Sequence, residues 1–161
     1  MPPPGTTPDS VAWSLDRADE ALRLHLASTD AARLALLREH ARERLAEVDA
    51  MVRAGEPAAA ARAGEAYASI LDAMTDLLGD ADSQRRQAED LLAHQYMLST
   101  NYLDLPRDAR RAILPVIESA TVRYARLARE LPQRTRDALF FKEEEVRWSR
   151  DMAVAADEQG L

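Results

Sequence analysis

The 161-residue chain contains no cysteine, only 5 glycines, and aromatic residues that make up 5% of the total. Without cysteine, disulfides, thiol catalysis and cysteine-ligated zinc or iron–sulfur sites are excluded. Alanine, leucine, arginine and glutamate dominate instead, and all four are strong helix formers. The composition therefore predicts an all-α protein.

Lysine is also scarce, because Lys142 is the only one, and 28 acidic residues outnumber 21 lysines and arginines to give a formal net charge of −7. An acidic protein lacks the basic surface that phosphate binding requires, so we expect no nucleic-acid partner. No apolar run is long enough for a membrane span, so we expect no membrane insertion. As given, the chain is expected to be cytoplasmic, or extracytoplasmic if a signal peptide or an anchor was removed.

The most clearly marked helix runs from Thr29 to Gly55. Thr29 or Asp30 is able to accept the free N–H groups at its start, and Gly55 is able to adopt the left-handed conformation just past its end. Its apolar residues recur at spacings of three and four, which predicts one buried face. They are Leu34, Leu37, Ala41, Leu45, Val48 and Val52.

Similar patterns along the chain predict a bundle of five to six antiparallel amphipathic helices. The first helix is expected to begin at Asp9 or Ser10, to end near Ala27, and to bury one apolar stripe. That stripe consists of Val11, Leu15, Ala18, Leu22 and Leu26. Trp13 lies off the stripe, and we interpret it as folding over one end of the bundle or as an exposed interaction residue.

Three regions are predicted from composition. Residues 1–8 hold four prolines and are expected to form a flexible Pro-rich arm. Residues 9–132 form the helical bundle, and residues 133–161 form a charged C-terminal helix that is either docked or projecting. Phe140, Phe141 and Trp148 lie in this last helix. They pack on the bundle if the helix docks, and form a binding surface for a partner or a second copy if it projects.

Helical bundles often perform chemistry with carboxylate–histidine metal sites, whose ferritin-like pattern is Glu-x-x-His. Leucine stands three residues before each of His25, His40 and His94, so this pattern fails at every histidine. We interpret His40, with Glu39 and Glu43, as part of a solvated polar face, with a ligand cluster as the alternative. Neither a Gly-rich phosphate loop nor a nucleophile elbow is present, so we expect no cofactor and no catalysis.

Three stretches resemble an uncharacterised all-α bacterial domain family. Its members carry a Tyr-Pro-Val-Lys-like opening motif, an Arg-Leu-x-Glu motif in the second helix, and a Leu-Pro-x-x-Ala-Arg turn. Residues 13–16, Trp-Ser-Leu-Asp, stand where the opening motif would be, without its Pro and Lys. Residues 44–47 match the second motif, and residues 105–110 match the third.

The resemblance covers roughly residues 9–132. It implies an all-α fold and a position after a signal peptide or membrane anchor, but no reaction, because the family has no established activity.

These features predict a non-catalytic helical interaction or scaffold module that binds a protein partner or a second copy. The alternative is a bundle that binds a metal or a small ligand between its helices. An enzyme would be one such bundle. Carboxylates and histidines that converge between helices with shifted pKa values would favour the alternative. The residues expected to interact or to brace the helices are Glu39, His40, Glu43, Arg44, Glu47, Phe140, Phe141 and Trp148.

Overall fold

The computed structural model describes residues 12–100 and 102–158, except for the side chains of residues 103, 157 and 158. This described part contains six α-helices and one 3-10 turn and no strand, which confirms the all-α prediction. The helices are α1 Ala12–Leu26, α2 Asp30–Arg53, α3 Pro57–Thr75, α4 Ala81–Thr100, α5 Arg107–Glu130 and α6 Gln133–Glu158, and the 3-10 turn is Tyr102–Asp104. The proposed arm, residues 1–8, lies outside the described residues.

The chain divides into two compact units, with the boundary between Leu77 and Leu78. The first unit contains α1, α2 and α3, and the second contains α4, α5 and α6. The boundary falls inside the predicted bundle of residues 9–132. Among the described helices, none combines the length and the apolar character that crossing a membrane requires.

Helix α2 is the central element of the first unit, and its predicted ends are confirmed. The Thr29 side chain accepts a hydrogen bond of 3.1 Å from the Ala32 N–H, and Gly55 has a φ of +75°. The predicted apolar stripe is buried, and α2 packs extensively against α3. The first half of the buried side of α3 consists of small residues, such as Ala60 and Ala63, which let the two helices approach closely, whereas its second half carries larger side chains, such as Tyr67 and Met74.

The first helix turns back sharply onto α2, because Trp13 near its start contacts Glu47 near the end of α2. The predicted burial of its leucine stripe is wrong. Leu15, Leu22 and Leu26 are exposed, whereas Glu20 is the buried residue of α1. Helix α1 therefore turns its charged side towards α2 and its apolar side towards solvent.

The second unit packs both α5 and α6 against α4. Helix α6 buries Leu139, Val146 and Ala153, which recur every seven residues and therefore share one face. The docked arrangement is thus the one seen for α6 within its unit. Even so, Phe140, Phe141 and Trp148 remain exposed, so docking of the helix does not bury its aromatic rings.

Candidate functional site

The candidate site is the contact between α1 and α2, where ionisable side chains from both helices meet. Helix α1 supplies the consecutive residues Asp16 and Arg17, and Glu20 one turn further along the same side of the helix. Helix α2 supplies residues at spacings of three, one and three, which again share one face. These are His40, Glu43, Arg44 and Glu47. We refer to these seven residues as the α1–α2 ion cluster.

Arg44 is the centre of the ion cluster and has no solvent exposure. Its Nη2 atom lies 2.6 Å from Glu20 Oε1, 3.0 Å from Glu47 Oε1 and 3.8 Å from Asp16 Oδ2. The other oxygen of Glu20 accepts a hydrogen bond of 2.7 Å from Arg17 Nη1. Both oxygens of Glu20 are therefore bound by guanidinium groups, one from each helix.

Trp13 covers the ion cluster from α1. The Arg44 and Arg17 guanidinium carbons lie 5.8 Å and 5.9 Å from the centre of its ring, within the range of a cation–π interaction. Its Nε1–H donates a hydrogen bond of 3.2 Å to Glu47 Oε2. The indole thus contacts both guanidinium groups and one carboxylate, and it helps to exclude water from Glu47.

The interpretation of Glu39, His40 and Glu43 as a solvated polar face is wrong for His40. Arg44 and Glu47 were expected to brace the helices, and Arg44 does pair with Glu20 of α1. His40, Arg44 and Glu47 are buried, Glu43 is half-buried, and Glu39 is exposed. Arg44 also keeps two buried nitrogens, Nε and Nη1, without a hydrogen-bond partner in the described residues. A buried guanidinium normally satisfies its donors, so the hydrogen bonding of the cluster is incomplete at Arg44.

Burial shifts the pKa values of three residues in the ion cluster. It raises the pKa of Glu47 to about 7, against the opposing effect of Arg44 and of the Trp13 hydrogen bond. It also raises the pKa of Glu43, and the nearby charge of Glu20 adds to that increase. Desolvation lowers the pKa of His40, so its imidazole stays neutral over a wider pH range.

Three of these side chains converge closely enough to share an ion. One ligand atom each from Glu20, His40 and Glu43 lies within 4.8 Å of the other two. Glu20 and His40 also line an open cleft of about 180 Å³, together with apolar side chains that include Leu24 and Ile70. The order on α2 is His-x-x-Glu, the reverse of the Glu-x-x-His pattern that was sought in the sequence.

The aromatic residues predicted as an interaction surface lie on α6, in the second unit. Phe140 and Phe141 meet edge to face, with ring centres 5.6 Å apart. Trp148 lies two turns beyond Phe141 on the same face, and Met152 continues that face one turn further. All four residues are exposed.

Sequence reasoning missed the contribution of α1 to the ion cluster, namely Asp16, Arg17 and Glu20. The available signal was a pair of carboxylates, Asp16 and Glu20, at i,i+4 spacing on the side of α1 away from its leucines. That signal favours a buried ion cluster only when a partner such as Arg44 is known to face it. The sequence does not supply that pairing.

Comparison with known proteins yields one family. A family model described as a domain of unknown function (DUF5667) matches residues 5–101. The matched range contains the whole α1–α2 ion cluster and the residues 44–47 motif, but not residues 105–110, the third motif of the resemblance. No curated protein and no solved structure matches the chain.

Proposed function

The chain belongs to the DUF5667 family of domains of unknown function, and we propose that it is a non-catalytic interaction module that binds another helix through α1. The observation that carries this proposal is the inverted orientation of α1. Leu15, Leu22 and Leu26 are 74%, 54% and 70% exposed. Their spacings of seven and four place them on one side of the helix, which we call the α1 leucine face.

The ion cluster explains why α1 keeps this orientation. Turning α1 to bury its leucines would separate Glu20 from Arg44, which is fully buried. Removing one partner of a buried ion pair costs about 3–5 kcal/mol, because a desolvated charge is left without compensation. The charged contact thus holds the leucines outward, where an apolar surface of another chain is able to cover them.

The size of the α1 leucine face indicates a weak and reversible interaction. Complete burial of a leucine side chain contributes about 1.5–3 kcal/mol, and these three are already partly covered. Association itself costs at least about 4 kcal/mol of lost translational and rotational freedom. We therefore expect dissociation constants in the micromolar range or weaker, unless a second surface contributes.

Helix α6 offers such a second surface. Phe141, Trp148 and Met152 are exposed along one face, opposite the buried Leu139, Val146 and Ala153. Aromatic residues and methionine are enriched in protein interfaces, because they supply a large contact area. The exposed face of α6 supports an interaction role independently of α1.

A second copy of the chain is the partner that is directly testable. Sedimentation velocity over a wide concentration range should show an average mass that rises with concentration. The triple variant Leu15→Gln, Leu22→Gln, Leu26→Gln should remain monomeric, because its α1 leucine face is polar. Val122→Gln, which replaces another exposed apolar residue, should associate like the unmodified chain.

Two results would contradict this proposal. The chain remains monomeric at every concentration, or the triple variant associates as strongly as the unmodified chain. If Phe141→Gln with Trp148→Gln abolishes association and the triple variant does not, the binding surface is α6 and the role assigned to α1 is wrong.

A second candidate function is the binding of a metal ion. The observation that favours it is the convergence of Glu20, His40 and Glu43 within the ion cluster.

A further inference from the structure

We propose that Glu20, His40 and Glu43 bind one divalent transition-metal ion, of the class to which Zn²⁺ belongs, at the contact between α1 and α2. Glu20 comes from α1, and His40 and Glu43 come from one face of α2. A bound ion would therefore link the two helices. This inference does not depend on the role of the α1 leucine face.

The spacing of the three side chains suits such an ion. Their ligand atoms lie within 4.8 Å of one another. Zinc ligands at about 2.0–2.2 Å from the ion lie roughly 3 Å apart, so each atom needs to move by only about 1 Å. Glu43 is half-buried and carries a flexible side chain, so a change of rotamer is able to supply most of this movement.

His40 supplies the nitrogen ligand of the proposed site. The residue is only 4% exposed, and it lines the open cleft together with Glu20, so an ion that enters this cleft is able to reach the imidazole. Burial also lowers the pKa of His40, and the neutral imidazole that this favours is the form that binds metals.

The charge of the ion cluster matches a divalent cation. Asp16, Glu20, Glu43 and Glu47 carry four negative charges when ionised, and Arg17 and Arg44 carry two positive charges. The sum is −2 when all four carboxylates are ionised. It is smaller in magnitude near neutral pH, because burial raises the pKa values of Glu43 and Glu47, and a bound ion would displace those protons. Exposed Glu39 adds further negative potential, and the same charge raises the pKa of Glu43. A divalent ion would bring the cluster close to neutrality.

Two arginines compete with the ion for the carboxylate of Glu20, and this competition limits the affinity of the proposed site. Arg44 and Arg17 each hold one oxygen of Glu20. A carboxylate oxygen accepts more than one contact, so Glu20 is able to keep a guanidinium partner while it binds the ion. Arg17 is partly exposed and lines the open cleft, so it is free to swing outward as an ion enters through that cleft.

The ligand set selects the class of ion. One imidazole nitrogen and two carboxylate oxygens suit Zn²⁺, Co²⁺ or Mn²⁺, whereas Mg²⁺ and Ca²⁺ prefer oxygen ligands alone. The chain has no cysteine, so a thiolate site for a softer ion is excluded. Three protein ligands leave one tetrahedral position for water.

The test is a titration of the chelator-treated full chain with Zn²⁺ by calorimetry and with Co²⁺ by visible absorption. We expect one ion per chain and a tetrahedral Co²⁺ spectrum that Zn²⁺ abolishes and millimolar Mg²⁺ does not. Glu43→Gln and His40→Gln should each weaken binding at least tenfold, a loss that even removal of an outer hydrogen-bond partner produces at zinc sites. His25→Gln, which changes an exposed histidine of α1, should bind like the unmodified chain.

Several outcomes would overturn the proposal. These are no binding, weak binding of several ions per chain, or equal effects of His25→Gln and His40→Gln. If His40→Gln fails to fold, Glu43→Gln alone decides, because its half-buried position tolerates an isosteric amide. The triple α1 leucine variant separates the two proposals, since it should lose self-association and retain the ion.

Discussion

Helix α2 is buried on two sides that follow different physical rules. Towards α3 it presents an apolar stripe that includes Leu45 and Val48, against small residues such as Ala63. Towards α1 it presents Arg44 and Glu47, which are equally buried but charged. The apolar contact gains stability from the area that it removes from water. The charged contact gains little net stability, but it fixes the orientation of α1, because every other orientation leaves a buried charge unpaired.

The largest effect is expected from Arg44→Met, which removes the central cation of the ion cluster. Glu20 and Glu47 would then remain near each other without a guanidinium partner. We expect the free energy of unfolding to fall by about 3–5 kcal/mol, the usual cost of breaking a buried ion pair. Urea denaturation monitored by circular dichroism measures this change.

The matched control replaces the ion pair as a whole. Glu20→Leu, Arg44→Met and Glu47→Leu together remove all three charges and keep similar side-chain volumes. Such replacements are often neutral or stabilising, so we expect the triple variant to be at least as stable as the unmodified chain. A loss of stability in the triple variant equal to that in Arg44→Met would show that the charges contribute net stability and not only orientation.

The apolar side of α2 was predictable from the sequence because its information is local. A stripe at spacings of three and four identifies the buried face without knowledge of any partner. The same holds for the ends of α2, where the Thr29 hydroxyl and the positive φ of Gly55 act within a few residues. Local rules of this kind fixed the fold class and the bounds of the central helix.

The charged side of α2 was not predictable for the opposite reason. His40 was interpreted as part of a solvated face, and Arg44 and Glu47 as a brace to a helix that the sequence does not identify. The approach of α1 is what buries all three residues. The leucines of α1 argued for the reverse orientation, because apolar burial is the stronger general rule. The pairing of Glu20 with Arg44 decides which face of α1 is covered. These two residues lie 24 positions apart, and no periodicity in the sequence encodes their pairing.

An intermediate effect is expected on the apolar side from Ala60→Leu. Ala60 is fully buried on the side of α3 that faces α2. Added methylene groups in a packed interior cost about 1–3 kcal/mol, because neighbouring side chains must leave their preferred rotamers. Ala61→Leu, one residue further along α3 and exposed, should leave the urea midpoint unchanged. Equal midpoints for the two variants would show that α2 and α3 are not closely packed.

The smallest effect is expected from Glu47→Gln, and it concerns pH. Burial raises the pKa of Glu47 from 4.5 to about 7, so the folded protein holds this proton more tightly than the unfolded chain does. The resulting stability is fully present below pH 4.5 and is lost as the pH rises through about 7. We expect the unmodified chain to lose stability over this range relative to Glu47→Gln, which does not titrate there.

The titration of His40 would offset part of this change in stability, because its pKa shift has the opposite sign. Burial lowers the pKa of His40, so the unfolded chain binds that proton more tightly and stability rises with pH up to about 6.5. His40 is present in both proteins, so the difference between their pH profiles isolates Glu47, provided that a chelator keeps metal ions away from the ion cluster. If the profiles are parallel from pH 5 to 8, Glu47 titrates as an ordinary surface carboxylate. The charged contact would then be open to water, and the contrast between the two sides of α2 would disappear.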